Sequence, residues 1–191
     1  MSIELHDALI ANSAGPEPVF DTVMQDFLCN SRDELVARAK AGGLLQYACL
    51  GHNAPWLWRL TFGTRGRACD GEEPIGLVER HVVAVRFLPD YLRRADRFEM
   101  LRLVEPVNAF HPNLRQGAIC VQIYPGEPLV EIAESLHRLI SWRLVQLNEF
   151  DAMNKDACAW GRAQTGALPV DDRPLFGRAF RIQLEDLKEA V

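Results

Sequence analysis

Residues 110–120 of the chain are Phe110-His111-Pro112-Asn113-Leu114-Arg115-Gln116-Gly117-Ala118-Ile119-Cys120. A proline and a glycine interrupt this segment, and apolar residues continue beyond it at Val121 and Ile123. Cys120 is therefore predicted to lie where a loop meets an extended segment. Asn113 precedes the thiol across this loop, a pattern that indicates a thiol nucleophile with a neighbouring amide. A simple packing role is the plainer alternative, because free cysteine is among the most buried residue types.

The same segment resembles the active-site segment of the ubiquitin-conjugating (E2) family, which combines a His-Pro-Asn triplet, a short glycine-containing loop, an apolar residue and the catalytic cysteine. Three further segments resemble the family in the family's own order. Residues 83–91 resemble its third strand and the turn that follows, residues 128–132 the start of its central helix, and residues 151–157 its acidic loop and next helix. The resemblance covers roughly residues 31–163.

The resemblance implies an α+β class and a UBC-like fold, in which a long central helix covers an antiparallel four-stranded meander sheet and helices stand at both ends. It also implies three regions: an N-terminal extension at 1–30, an E2-like core at 31–165, and a tail at 166–191 that packs on the core or extends from it. A chain of 191 residues with 48% hydrophobic content has the size and composition of one soluble domain.

Local residue patterns predict the helices. Residues 31–34, Ser-Arg-Asp-Glu, have the form of a capping box at the start of a helix at 31–41, and the glycine pair that follows stops it. The strongest predicted helix runs from 128 to 147, with proline in its first turn and an apolar face that must cover the sheet. A shorter helix is predicted at 154–163.

Runs of apolar and β-branched residues predict strands that form an antiparallel meander, with period-two alternation in the second run. These strands lie at 44–50, 56–62, 82–88 and 98–104. The glycine-rich connection at 63–76 is predicted to be a surface loop.

The composition argues against several classes of protein. A net charge of −5 disfavours nucleic acid as a partner, because proteins that bind it concentrate excess Lys and Arg. The chain has no apolar run near the roughly 20 residues that span a bilayer and no signal-peptide pattern, so we expect no membrane partner and a cytoplasmic location. Scattered cysteines suit reduced thiols better than a disulfide framework: Cys29, Cys49, Cys69, Cys120 and Cys158.

The E2 resemblance assigns roles to the residues around the thiol. Cys120 would carry an acyl group as a thioester, and Asn113 would donate a hydrogen bond to the oxyanion that forms when an amine attacks the carbonyl. From its type alone, Asn113 is more simply a turn former. Asp151 falls at the family's acidic position and would orient the incoming amine and help it lose a proton, with a solvated loop carboxylate as the open alternative.

His111, Pro112 and Gly117 match structural positions in the family's active-site segment. His111 also permits a different interpretation, a cysteine hydrolase in which its imidazole is the general base for Cys120. A further alternative is a catalytically silent E2-like adaptor that binds a ubiquitin-like modifier or partner through the same fold. The presence of the thiol counts against the adaptor.

The leading prediction is an E2-like transferase. It would accept a ubiquitin-like modifier protein from an E1-like adenylating enzyme and pass it to an amine of a target protein. Arg32, Arg38 and Lys40 on the first predicted helix would offer a positive stripe for the E1, with an ordinary solvated face as the alternative. Neither a phosphate-binding loop nor a complete set of metal-ligand spacings is present, so no cofactor and no metal are expected.

The chain departs from the eukaryotic E2 pattern at several points. The interval from Asn113 to Cys120 is one residue shorter, and Gly126-Glu127-Pro128 replaces the usual approach to the central helix. Such divergence resembles the bacterial E2-like proteins that are encoded beside a modifier, an E1-like enzyme and a peptidase in systems associated with antiphage defence.

Overall fold

A computed structural model of the protein describes residues 2–71, 76–164 and 166–177. Within these ranges the chain forms five helices: α1 (Ile3–Ala14), α2 (Thr22–Ala39), α3 (Arg97–Met100), α4 (Leu129–Ile140) and α5 (Lys155–Ala163). The same ranges contain eight strands: β1 (Leu45–Cys49), β2 (Leu57–Phe62), β3 (Gly66–Ala68), β4 (Gly76–Val78), β5 (His81–Arg86), β6 (Leu101–Glu105), β7 (Leu114–Arg115) and β8 (Ala118–Ile119). The predicted α+β class is confirmed.

The main sheet has the strand order β1-β2-β5-β6, and each neighbouring pair is antiparallel. The predicted four-stranded antiparallel meander is therefore confirmed. The fourth strand differs from the predicted range of 98–104, because α3 occupies its first positions and β6 begins only at Leu101. The Asp96 carboxylate caps this short helix by accepting a hydrogen bond from the Phe98 N–H at 3.0 Å.

Both faces of the central strand β2 are covered. Period-two alternation is typical of half-buried strands, yet all six residues of β2 are buried. Helix α1 is the reason, because it packs on the face that carries Arg59, where Asp7 Oδ1 lies 2.5 Å from Arg59 Nε. A second contact joins His6 Nε2 to Glu105 Oε2 of β6 at 2.8 Å. The main hydrophobic core includes Trp58 and Leu60 of β2 together with buried residues of α2 and α4.

Helix α2 begins at Thr22 and not at residue 31, so the predicted capping box is wrong. The true N-cap is Asp21, whose carboxylate accepts a hydrogen bond from the Met24 N–H at 2.8 Å. Ser31 lies inside the helix and is buried. Its hydroxyl accepts a hydrogen bond from the Leu129 N–H, at the start of α4, at 2.6 Å. The predicted boundary between residues 30 and 31 therefore falls within one continuous helix.

The connection after β2 contains a hairpin and is not the plain surface loop that was predicted at 63–76. Strands β3 and β4 pair antiparallel, and residues 72–75 between them lie outside the described ranges. The hairpin also contacts the segment that leads to the His-Pro-Asn triplet, because the Phe110 N–H donates to the Arg67 carbonyl at 2.7 Å. The hairpin is therefore hydrogen-bonded to the segment that leads to the triplet and to Cys120.

Helix α4 is shorter than the predicted range of 128–147, because it ends at Ile140. The chain leaves helical geometry at Trp142, whose φ of 64° lies in the left-handed region. Leu144 still packs against the main core, which explains why the apolar period in the sequence continues beyond the helix. The apolar residues of α4 itself are buried in that core, as predicted.

The predicted helix at 154–163 is confirmed by α5. Within the described ranges, no helix combines the length and the apolar character that crossing a bilayer requires.

The described part of the C-terminal tail packs on the core. The Val170 N–H donates to the Ser141 carbonyl at 3.0 Å, and the Gly177 N–H donates to the Gly42 carbonyl at 2.6 Å. Of the tail predicted at 166–191, residues 166–177 are described, and these contacts lie within that range. The remainder of the predicted tail, residues 178–191, lies outside the described residues.

Candidate active site

Cys120 directly follows a small hairpin formed by β7 and β8. The turn of this hairpin consists of Gln116 and Gly117, whose φ angles of 51° and 84° are both positive, as a tight two-residue turn requires. The Leu103 N–H of β6 donates to the Gly117 carbonyl at 2.8 Å. A Cβ at position 117 would lie 3.1 Å from the Leu103 carbonyl oxygen, so glycine permits this close contact. The thiol-bearing segment is thereby attached to the main sheet.

Asn113 and Cys120 are joined by two hydrogen bonds. The Cys120 N–H donates to the Asn113 carbonyl at 2.8 Å, and Asn113 Nδ2 donates to the Cys120 carbonyl at 2.9 Å. Asn113 Oδ1 accepts a third bond from the Gln146 N–H at 3.1 Å. We call these three bonds the Asn113 clasp. They fix the backbone of the partly buried Cys120 and tie it to the chain beyond α4.

His111 stabilises the clasp through a hydrogen bond with the backbone of Asn113. Its Nδ1 accepts a hydrogen bond from the Asn113 N–H at 3.0 Å, which assigns the proton of the neutral ring to Nε2. Only 1% of His111 is exposed, and this burial lowers its pKa to about 3. A general base for Cys120 needs an accessible lone pair, and the Nδ1 lone pair is already engaged. The geometry therefore disfavours the cysteine-hydrolase interpretation.

Pro112 holds the acidic loop next to the triplet. Its carbonyl accepts hydrogen bonds from the Met153 N–H at 2.9 Å and from the Asn154 N–H at 3.1 Å. Asp151 lies on this loop and is exposed, and its Oδ2 accepts a hydrogen bond from Asn148 Nδ2 at 2.9 Å. The structure thus anchors the loop of Asp151 to the same triplet that contains Asn113.

A cluster of aromatic side chains forms the base of the site. The rings of Trp142 and His111 meet edge to face with centroids 4.7 Å apart, and Trp142 meets Trp160 of α5 in the same way at 5.2 Å. Phe110 also packs against Trp160, with centroids 6.1 Å apart. This cluster is separate from the main core and connects α5 to the triplet.

Two parts of this arrangement are missing from the sequence-based site. Gln146 contributes a backbone N–H, and no residue type announces that contribution. Trp142 falls inside the predicted helix of 128–147, and no role was assigned to it there. Its positive φ is the feature that separates it from the helix, and that angle is visible only in the structure.

The three cations predicted to form a stripe point in different directions. At about 100° per residue, Arg38 lies about 120° from Arg32 on one side of α2, and Lys40 about 80° on the other. Arg38 pairs with Glu134 of α4 at 2.9 Å, whereas Arg32 pairs with Asp33 at 2.9 Å. Arg38 and Lys40 are exposed and Arg32 is half-buried, so α2 presents separate charges and not one continuous stripe.

A groove of about 600 Å³ lies beside the hairpin on the β7 side. It runs between the end of β3 and the loop that leads into α5. Its lining includes Cys69, Phe110, Arg115, Met153 and Asp156. The groove therefore borders the segment that carries the triplet.

Among the described residues, no group of three or more His, Cys, Asp or Glu side chains is arranged to hold a metal ion. Comparison of the sequence with known protein families finds no match. A comparison with curated proteins likewise finds none.

Proposed function

We propose that this protein is an E2-like carrier with a UBC-like fold, which accepts a ubiquitin-like protein as a thioester on Cys120 and transfers it to a target amine. The observation that supports this proposal most directly is the Asn113 clasp. It holds a carboxamide beside the backbone of the thiol residue and joins both to the loop after α4.

The order of the elements also supports the proposal. Helix α2 directly precedes the four-stranded meander. The triplet, the thiol, the helix α4, the loop of Asp151 and α5 follow the meander in the order that the family shows. Tyr91, in the turn after β5, connects these parts, because its hydroxyl lies 3.0 Å from the Tyr124 carbonyl and 2.8 Å from the Glu127 carbonyl. The single hydroxyl proton of Tyr91 is shared between these two carbonyls and secures the segment between Cys120 and α4.

The chemistry has two steps. In the first, the Cys120 thiolate attacks the carbonyl carbon of the thioester that the E1 carries, a new S–C bond forms, and the E1 thiolate leaves. In the second, a lysine amine of the target attacks that carbonyl, an amide bond forms, and the Cys120 thiolate leaves. The amine loses one proton to Asp151 or to water. The chain needs no cofactor of its own, because the E1 supplies the activated acyl group.

Asn113 has two roles in this scheme. One N–H of its carboxamide donates to the Cys120 carbonyl and holds the thiol segment. A carboxamide carries two N–H donors, and the second is the donor that we assign to the oxyanion. Asp151 is exposed on an anchored loop, where it can receive an amine from solvent.

The test is adduct formation with a candidate E1-like enzyme and its ubiquitin-like modifier. We expect an adduct on the wild type that dithiothreitol removes, an oxyester with Cys120→Ser that dithiothreitol leaves intact, and no adduct with Cys120→Ala. Alanine variants of Cys29, Cys49, Cys69 and Cys158 are the matched controls and should retain the adduct. A wild-type chain that binds the modifier but forms no adduct would instead identify the silent adaptor.

A further inference from the structure

Trp142 has an unusual backbone conformation for so large a residue. Its φ of 64° lies in the left-handed region, which non-glycine residues seldom occupy and which costs free energy. The side chain is 98% buried, since only 2% of the residue is exposed. Backbone strain of this kind persists only where the surroundings determine the conformation, and it concentrates at functional sites. The contacts of the indole ring show what those surroundings are.

Helix α5 is shaped to accept the Trp142 ring. A Cβ at Gly161 would lie 2.9 Å from Cζ3 of Trp142, closer than real Cβ contacts come. The absence of a side chain at this helical position therefore makes room for the indole. On the same helix, Trp160 meets Trp142 edge to face at 5.2 Å. The ring is thus held by α5, while its own backbone follows the end of α4.

The other side of the Trp142 ring meets His111, with centroids 4.7 Å apart and planes at 63°. His111 in turn accepts the Asn113 N–H, and Asn113 forms the clasp with Cys120 and Gln146. A continuous series of contacts therefore runs from Gly161 through Trp142 and His111 to Asn113.

We propose that Trp142 is a positioning residue, whose indole fixes the His111 ring and thereby sets the orientation of Asn113 in the clasp around Cys120. Its consequence for transfer rests on the proposed function, but the positioning itself does not. The aromatic cluster that contains Trp142 is separate from the main hydrophobic core. Loss of the Trp142 indole should therefore disturb the site before it disturbs the rest of the fold. A misplacement of about 1 Å in a positioned group can cost about a hundredfold in rate.

The experiment compares Trp142→Leu, Trp142→Phe and Gly161→Ala with the control Trp58→Leu, which removes an equally buried indole from the main core. The first readout is the titration of the His111 ring, followed by ¹⁵N NMR, and it needs no partner protein. In the wild type we expect no His111 titration above a pH of about 4, since its pKa is about 3. In Trp142→Leu, water reaches the ring and the pKa rises towards the ordinary value of about 6.5.

The second readout is transfer. We expect Trp142→Leu to load the modifier from the E1 nearly as the wild type does and to discharge it to free lysine about tenfold or more slowly. Trp142→Phe retains an aromatic edge and should restore most of the discharge rate. The added methyl group of Gly161→Ala displaces the Trp142 indole, so this variant should slow discharge as Trp142→Leu does. If Trp142→Leu does not fold, Gly161→Ala provides the same test.

The proposal is overturned if Trp142→Leu and Gly161→Ala leave the His111 titration unchanged, or if Trp58→Leu alters the titration and the discharge equally. If neither the wild type nor any variant forms an adduct, the carrier function fails. The side-chain amide signal of Asn113 in the same ¹⁵N spectra then decides the positioning role, because it should shift in Trp142→Leu and not in Trp58→Leu. If adducts form and discharge is unaffected although the titration shifts, His111 is not linked to the orientation of Asn113 and the proposal is also overturned.

Discussion

At the scale of single residues, the Asn113 side chain makes two bonds of the clasp, and in the proposed transfer it also donates to the oxyanion. We expect Asn113→Ala to slow discharge to lysine by about 10² to 10³, because the alanine cannot donate to the oxyanion. Loading from the E1 should fall much less, since transfer between two thiols depends less on this donor. Single-turnover loading and discharge rates measure the two steps separately.

The matched control for this prediction is Asn108→Ala, which removes an asparagine before the triplet that takes no part in the clasp. It should leave both rates unchanged. An equal loss of loading and discharge in Asn113→Ala would show that the clasp only maintains the loop, and the oxyanion role would then be wrong.

Part of this site was predictable from the sequence, and part of it was not. The proximity of Asn113 and Cys120 was predictable because a tight turn at Gln116 and Gly117 folds the intervening residues into a hairpin. The contribution of Gln146 was not predictable, because a backbone N–H leaves no signature in residue type. Asp151 was predictable as a loop carboxylate, whereas its bond to Asn148 depends on how the loop closes.

At the scale of elements, Ser31 links α2 to α4 through its bond to Leu129, which lies 98 residues further along the chain. We expect Ser31→Ala to lower the free energy of unfolding by about 1–2 kcal/mol, because it leaves the buried Leu129 N–H without its acceptor. Urea unfolding followed by circular dichroism measures this change. Ser2→Ala is the control, because the Ser2 hydroxyl caps α1 at an exposed position and at the longer distance of 3.4 Å. A loss in Ser31→Ala no larger than in Ser2→Ala would contradict the assignment.

The failure of the capping-box prediction has a physical reason. Residues 31–34 satisfy the local pattern, but Asp21 already supplies the cap for α2, so the helix passes through Ser31 without needing it. The Ser31 hydroxyl is then free to serve α4, whose own N-cap is a proline without a side-chain bond. The local sequence pattern shows which hydrogen bonds Ser31 can make, whereas the packing of the distant Leu129 N–H determines which one it makes.

Because Arg32 and Arg38 lie on different sides of α2, the E1 docking hypothesis can be tested at each position separately. If the helix docks an E1 through Arg32 and Arg38, charge reversal at either position should slow E1-dependent loading without lowering thermal stability noticeably, because exposed ion pairs contribute about 0–1 kcal/mol. The double variant Arg38→Glu with Glu134→Arg keeps the ion pair with its charges exchanged. It should load as slowly as Arg38→Glu alone. Loading that recovers in the double variant would mean that Arg38 serves only α4.

At the scale of the whole molecule, the sheet has no open face at its centre because α1 covers the side opposite the main core. The alternation in β2 predicted the strand, but period two shows only which residues share a face and not what covers that face. Arg59 and Asp7 meet across this contact although 52 residues separate them in sequence. Such pairs depend on the final packing and are not visible in either segment alone.

Three histidines, His81, His111 and His137, are buried in the folded protein and have lowered pKa values. Burial lowers the pKa of His81 to about 4 and that of His111 to about 3, and it also lowers the pKa of His137. His137 is held between the Thr64 hydroxyl at 2.7 Å and the Arg173 carbonyl at 3.0 Å, so it joins the C-terminal segment to the region after β2. All three rings are neutral in the folded protein near neutral pH.

These histidines predict how the stability depends on pH. A histidine whose pKa is lower in the folded state binds more protons when unfolded, so the free energy of unfolding should be nearly constant above pH 7 and should fall as the pH drops below about 6.5. Each such histidine contributes a slope of about 1.4 kcal/mol per pH unit between about 6.5 and its folded pKa. Urea unfolding between about pH 4.5 and about 8 measures the slope, and His81→Gln should reduce it by the share of one proton. The variant also loses the bond from His81 to the Thr64 backbone, which lowers the stability at every pH without adding to the slope. A stability that is independent of pH below 6.5, or that rises there, would show that these rings are accessible to protons in the folded state, and the buried neutral form of His111 beneath the clasp would then be wrong.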